Sequence, residues 1–401
     1  MVTILQVVPR LDAGGSELAT VEIAQALSRV GARALVATEG GGMVEEVAFA
    51  GGEIVTLPVA SKSPFTILAN IGRLRSLIEG RGVDLVHARS RAPAWSAFLA
   101  ARRTVKPFVT TYHGAYGEVG PFKAAYNSVM AKGDRVIANS RYTASVIEAR
   151  APRVKDRIRV IYRGVDRSAF DPAAVGASAV ENLRAQWGVP PGAKIVLHAA
   201  RLTSIKGQRD LIAAAARANQ EGALDDAVVI LAGDAPGRDA YREELIGLVA
   251  RHGLGDKVRL VGHCREMPAA YLAAQVAVTT STVPETFGRT SAEAQAMGCP
   301  VIVPDLGALP ETIVSPEQSE GQFTGWLFPP RDVAALASRI GRALALSPSE
   351  RDAIGLRARA HVAGKFMLER MQGSTLAVYD ELLGSDLAER FKRVSPAELG
   401  A

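Results

Sequence analysis

The chain has 401 residues, more than one domain usually holds, so two domains are expected. Its 48% hydrophobic and 22% charged content is ordinary globular composition and excludes disordered and fibrous classes. The formal charge of +6 is uneven: residues 1–170 hold 23 Lys and Arg against 14 Asp and Glu, a net of +9, and residues 171–401 hold 24 against 27, a net of −3. Surface drift and different partners for the two halves both fit that asymmetry.

The first eight residues are apolar but lack a basic leader and a small-residue cleavage site, and they read as a strand, not a signal peptide. No run reaches the ~18 apolar residues that span a bilayer. Cys264 and Cys299 make neither a disulfide framework nor a metal-ligand spacing. A cytoplasmic protein is expected, at most peripheral on the inner face of the membrane.

Short apolar runs then alternate with amphipathic stretches of helical length. Strands are expected at 3–8, 34–38, 83–87, 108–111 and 135–138, with helices at 17–29, 65–79, 92–103, 121–132 and 142–149. Pro172, Gly176, Pro190, Pro191 and Gly192 interrupt the pattern and suggest a linker at 171–192. A second series follows, with strands at 194–198, 228–232, 258–261, 276–279 and 301–303 and helices at 208–218, 241–251, 291–297 and 333–344. Strict alternation of apolar strands with helices implies parallel sheets covered on both faces. The reading is an α/β protein of two doubly wound, Rossmann-like domains facing each other across a cleft, at 1–170 and 193–365. Ligands in such sheets bind beyond the carboxyl ends of the strands.

Four segments carry chemistry. Glu285 and Glu293 stand eight positions apart across a helix start, and the amides of Thr286, Phe287 and Gly288 between them can face an anion. Arg201 and Lys206 flank a strand-to-helix turn and suit a diphosphate, one as a fork and one as a point charge. Gly14-Gly15 opens a helix and permits close approach of a phosphate or sugar. His113, before Gly114 at a strand's carboxyl end, can bond a sugar hydroxyl or a reacting group. His87, His198, His252 and His263 read as structural or solvent-facing. No Asp-x-Asp triplet occurs, so cations and amides of the protein would replace a metal at a nucleotide diphosphate.

Together these segments resemble the retaining GT-B glycosyltransferases of family 4, the group 1 glycosyl transferases, over nearly the whole chain. The resemblance includes Gly14, Gly15 and Glu17, then Thr111, His113 and Gly114, then 136–140 and 160–166, the Arg201-to-Gly207 turn, and the Glu285/Glu293 pair. It departs at Arg163, where asparagine is usual, and at Ala200, where glycine is usual. It implies that Gly15, Arg201, Lys206, Gly288 and Thr290 bind the donor diphosphate. Glu285, Thr286 and Phe287 would hold the donor sugar, Glu293 the ribose, and His113 and Glu285 would be the catalytic candidates. It implies a UDP- or GDP-linked sugar as substrate, no cofactor or metal, and a C-terminal segment, 366–401, packing back on the first domain.

Attack from the face the diphosphate leaves would give retention, with a leaving-group oxygen taking the acceptor's proton. A nucleotide-sugar epimerase or hydrolase of the same architecture, and a Rossmann-type nucleotide-binding protein, stay open as alternatives. The +9 half is expected to receive an anionic or lipid-linked glycan acceptor, in lipopolysaccharide, polysaccharide or glycolipid synthesis, through Arg89 and Arg91. No nucleic-acid partner is expected. The 65–79 helix, with Phe65, Ile67, Leu68, Ile71 and Leu74 beside Lys62, Arg73 and Arg75, either rests on an anionic membrane or packs into its own domain.

Overall fold

The structure is a computed structural model that describes residues 1–12, 14–114, 120–235 and 237–395. Its contacts divide the chain into two units, one of Met1–Gly164 with the segment from Leu368 onward, the other Val165–Met367.

In the first unit the elements run β1 (Thr3–Val7), α1 (Gly15–Arg29), β2 (Arg33–Thr38), α2 (Val44–Phe49), β3 (Gly52–Thr56), α3 (Pro64–Gly80), β4 (Leu85–Ala88), α4 (Arg91–Arg103), β5 (Phe108–Tyr112), α5 (Pro121–Asn127), β6 (Arg135–Ala138), α6 (Arg141–Arg150) and β7 (Ile158–Val160). The strands form one parallel sheet in the order β3-β2-β1-β4-β5-β6-β7. The order reverses between β1 and β4, so the loops leaving these two strands diverge and open a crevice at their carboxyl ends.

The second unit runs α7 (Ala177–Gln186), β8 (Lys194–Ala199), α8 (Gln208–Gln220), β9 (Ala227–Ala232), α9 (Asp239–Arg251), β10 (Val258–Gly262), α10 (Met267–Ala273), β11 (Val276–Val278), α11 (Arg289–Ala296), β12 (Val301–Pro304), β13 (Gly325–Phe328), α12 (Val333–Leu344) and α13 (Pro348–Lys365). Its parallel sheet has the order β10-β9-β8-β11-β12-β13, with the reversal between β8 and β11. The chain then returns to the first unit as α14 (Leu368–Leu383) and α15 (Leu387–Val394).

Each sheet is buried on both faces, as its continuous apolar strands require. In the first unit Ile23, Leu27, Tyr379 and Phe391 cover one face, and Leu74, Ala97, Phe108 and Met130 the other. In the second, Leu211, Trp326 and Ile340 lie on one side, Tyr271, Met297 and Leu309 on the other.

The segment 171–192, expected as a linker, folds differently. Its apolar positions are spaced to form α7, and Leu183, Trp187 and Val189 are buried with Tyr271 and Val228 in the second unit's core. The first unit ends at Gly164, six residues before the expected boundary. The returning α14 is anchored within the first unit: Gln372 Nε2 donates to the Glu22 carbonyl at 2.7 Å, and Glu381 pairs with Arg135 at 2.6 Å and Arg159 at 2.8 Å.

Candidate functional site

In the second unit, β8 and β11 are neighbours at the order reversal, and side chains join the loops that leave them. Lys206 lies on the first loop and Glu285 on the second, and Lys206 Nζ donates to Glu285 Oε1 at 2.6 Å. Ser281 Oγ donates to the same carboxylate oxygen. Gly207 makes the turn with φ +70°, and a Cβ there would run into the Thr280 carbonyl oxygen. Glycine is thus required both by the left-handed backbone and by the closeness of the two loops.

The Lys206 carbonyl is braced from below. Thr280 Oγ1 donates to it at 2.8 Å, and His198 Nε2 stands 3.2 Å from it and 3.1 Å from Thr280 Oγ1. Burial pushes the His198 imidazole down to about 4, so it is neutral, and the nearby carbonyl assigns its proton to Nε2. His198 is therefore a structural histidine, as expected, and what it supports is the lysine turn.

The Glu285–Gly288 loop is fixed by a second contact: the Ala308 amide donates to the Glu285 carbonyl at 2.9 Å. Gly288 caps α11 with φ +111°, and a Cβ there would lie 2.6 Å from Leu309 Cδ2. Phe287 is buried, while Thr286 and Thr290 are partly exposed. Thr290 is in the first turn of α11, where backbone N–H groups have no intrahelical acceptor. One further turn along, Glu293 is buried. Arg289 Nε donates to its Oε1 at 2.6 Å, and the Tyr271 hydroxyl is 3.5 Å from Oε2. Burial raises the Glu293 carboxyl above its usual range, against the opposing pull of Arg289, and burial also pushes the Tyr271 phenol well up. Arg201 is exposed and makes no ion pair among the described residues. Its guanidinium is thus available to a ligand, though it is not joined to Lys206, Glu285 or Glu293.

In the first unit, β1 and β4 are the neighbours at the order reversal. Gly15 starts α1, and the Arg163 guanidinium donates to its carbonyl at 2.5 Å while standing 3.6 Å from Glu22 Oε2. Asparagine could not span that reach, so the departure at 163 ties the Gly-Gly turn to the segment after β7. Arg89 is only 3% exposed, and its Nε donates to Gln6 Oε1 at 2.6 Å. Burial lowers its guanidinium to about 10. Arg89, expected at the strand's carboxyl end as an acceptor contact, is buried and turned toward Gln6. Arg91 diverges from it, starting α4 and donating to Asn127 Oδ1 at 2.9 Å.

His113 is partly buried, and burial together with the Arg163 and Arg89 charges holds its imidazole well below the ordinary range, hence neutral. His87 is fully buried, bonded to Tyr379 OH at 2.7 Å and to Thr111 Oγ1 at 2.7 Å. Tyr379 thus carries α14 into the cluster around Arg89. Sequence reasoning missed Arg163, Tyr379, His198, Ser281, Thr280 and Tyr271 as site supports. The unusual Arg163 was the one visible signal; the others lie in segments whose spacing carries no motif.

Residues 13–169 match the model of Glycosyltransferase Family 4 and residues 179–361 that of Glycosyl transferases group 1. A D-inositol 3-phosphate glycosyltransferase of Catenulispora acidiphila is 30% identical over 74% of this chain and 72% of its own length. The enzyme of that name from Mycolicibacterium smegmatis is 27% identical over 97% and 91%. Among solved structures, a glycosyltransferase from Rickettsia africae superimposes with a TM-score of 0.87 at 33% identity, covering 95% of this chain and 98% of that one. Anabaena HepE, solved with UDP and glucose, gives a TM-score of 0.80 at 24% identity over 95% and 100%. The chain has the GT-B fold and belongs to the family 4, group 1 glycosyltransferases, enzymes that transfer glycosyl groups.

Proposed function

We propose that the enzyme moves a sugar from a UDP- or GDP-linked donor to an acceptor hydroxyl, with retention and without a divalent metal. The observation that carries this reading is the Lys206–Glu285 pair at the order reversal of the second sheet, with Arg201, which makes no ion pair among the described residues, on the same loop as Lys206. A cation and a carboxylate 2.6 Å apart suit a ligand with an anionic end and a hydroxylated end. The diphosphate draws on Lys206 and Arg201, and Glu285 accepts from sugar hydroxyls. Glu293, oriented by Arg289 and Tyr271, accepts from the ribose, and Gly288 and Thr290 offer amides to the phosphates.

As the bond from the anomeric carbon to the diphosphate breaks, the charge collecting on the leaving oxygen is stabilised by Lys206 and Arg201. The acceptor oxygen bonds the same face, and its proton passes to the leaving oxygen. His113, neutral, serves as a hydrogen-bond partner for the donor sugar, and Gly15 leaves room for the diphosphate. HepE's UDP and glucose support a uridine donor, and the relatives named for D-inositol 3-phosphate support an anionic acceptor.

The acceptor reading includes peripheral contact with an anionic membrane, in lipopolysaccharide, polysaccharide or glycolipid synthesis. Ile71 and Leu74 of α3 pack inward, but Phe65 is 83% and Leu68 63% exposed, and Phe122 at the start of α5 is 91% exposed. Lys62 and Lys123 flank them. Aromatic residues beside lysines are suited to an anionic bilayer interface. Arg91 is the remaining candidate for contact with the acceptor.

The test is product analysis with UDP- and GDP-sugars in EDTA. An α-linked donor should yield an α-linked product by NMR coupling constants, and a β product would overturn the retaining mechanism. Co-sedimentation with phosphatidylglycerol vesicles should fall as salt rises and fall again in Phe65→Ser/Phe122→Ser. Equal sedimentation of that variant would remove the membrane contact.

A further inference from the structure

The chain passes between its two units twice, at Gly164/Val165 and at Met367/Leu368. The two crossings are joined. The Val165 amide donates to the Phe366 carbonyl at 2.8 Å, and Val165 pairs with Met367 in a parallel bridge. Phe366 is buried, and its ring meets that of Phe287 edge-on, with centroids 5.4 Å apart and planes at 71°. Phe287 lies between Glu285 and Gly288 on the loop that also pairs with Lys206. The Phe366 ring also meets His361 at 5.5 Å and carries Lys365 Nζ at 5.0 Å. Lys365 in turn donates to the Glu311 carbonyl at 2.9 Å, beside the Leu309 that packs on Gly288. One aromatic side chain therefore touches the donor loop while its own backbone holds the crossing.

We propose that Phe366 is a positioning residue. It acts through Phe287 to set the Glu285–Gly288 loop, and it links the state of that loop to the state of the paired crossings. The role of the loop rests on the donor reading above; the mechanical link between Phe287 and Val165 does not. Because the contact is shared, coupling runs both ways: a ligand that steadies the loop steadies the crossing, and loosening the crossing loosens the loop. Interiors as dense as this transmit such displacements, since neither ring can shift without the other. For a transferase that admits a donor and then an acceptor, this makes occupancy of the donor loop sensible at the two points where the units are joined.

The readout is amide exchange at Val165, resolved by mass spectrometry with fragmentation. Without ligand, Phe287→Leu should speed Val165 exchange by about tenfold or more, while Val196 in β8 keeps its wild-type rate. An unchanged Val165 rate would overturn the link, and Phe287→Met offers the same comparison if the leucine variant folds poorly. With UDP at saturation, wild-type Val165 exchange should slow. In Phe366→Leu, UDP should still bind by calorimetry, but the slowing should vanish and donor KM should rise with little change in melting temperature. Equal slowing in Phe366→Leu would overturn the proposal. If neither UDP nor GDP binds the wild type, the donor reading fails instead, and the ligand-free comparison decides the link by itself.

Discussion

Lys206 Nζ and Glu285 Oε1 stand 2.6 Å apart, joining the loop after β8 to the loop after β11. Both side chains keep part of their surface in water, so the pair itself contributes only about 1 kcal/mol or less to stability. Its value lies in geometry: two groups of opposite charge are held ready where the strand order reverses. Lys206→Ala should therefore leave the melting temperature within a few degrees of wild type. Turnover at saturating donor should fall about 100- to 1,000-fold, the cost of one lost leaving-group contact. Wild-type turnover in the variant would remove Lys206 from the site.

Glu293 is buried and held between Arg289 and Tyr271. If it accepts from the ribose, Glu293→Gln should weaken UDP by about 1–3 kcal/mol. The same change should barely affect 2′,3′-dideoxy-UDP, which lacks those hydroxyls. Calorimetry with both ligands measures the difference, and equal losses for the two would assign Glu293 a purely structural part.

Gly15 is not in the left-handed region, and nothing among the described residues lies within 4 Å of a Cβ built on it. Alanine in the first turn of α1 should hold or slightly raise stability, by up to about 1 kcal/mol. If the diphosphate approaches this backbone, Gly15→Ala should still cost about tenfold or more in kcat/KM, because the methyl displaces the reacting groups. Unaltered kinetics would detach Gly15 from the donor.

His198 stays neutral in the fold down to about pH 4, whereas in the unfolded chain it charges near its ordinary value of 6.5. The unfolded state therefore binds the extra proton first, and stability present above pH 6.5 is lost as pH falls toward 4. At pH 5 this group alone should take away about 2 kcal/mol. Urea unfolding at pH 7 and pH 5 measures the loss, which should shrink in His198→Gln. A variant with the wild-type pH dependence would show that other groups govern acid lability.

Arg201 and Lys206 are the groups proposed to neutralise the leaving diphosphate, so initial rates should be unaffected by EDTA. Loss of activity on chelation, restored by magnesium or manganese, would assign that task to a metal.

The central strands and the helices over them were legible because buried parallel strands are continuous apolar runs and their helices are amphipathic. Of the strands, β3, β7 and β13 were not, and all three lie at sheet edges. An edge strand is short and half-covered, so β3 mixes Glu53 with Ile54 and β7 is only Ile158–Val160. In the site, loops with charged groups at fixed intervals were readable: Arg201, Lys206, Glu285 and Glu293 all lie on the segments expected. Pairing across sequence was not. Nothing local announces that Tyr379 reaches His87, that Arg163 reaches Gly15, or that Arg89 turns inward under Gln6. Those contacts depend on strand order and on the return of α14, which only the assembled sheet fixes.

The most direct test of the account is a calorimetric titration of UDP and GDP into the wild-type enzyme and into Lys206→Ala. One of the two nucleotides should bind the wild type, and its affinity should drop by about 1.5–3 kcal/mol in the variant, the usual worth of a hydrogen bond to a charged group. Binding of equal strength to both proteins, or no binding of either nucleotide to the wild type, would contradict a donor site built on Lys206 and Glu285.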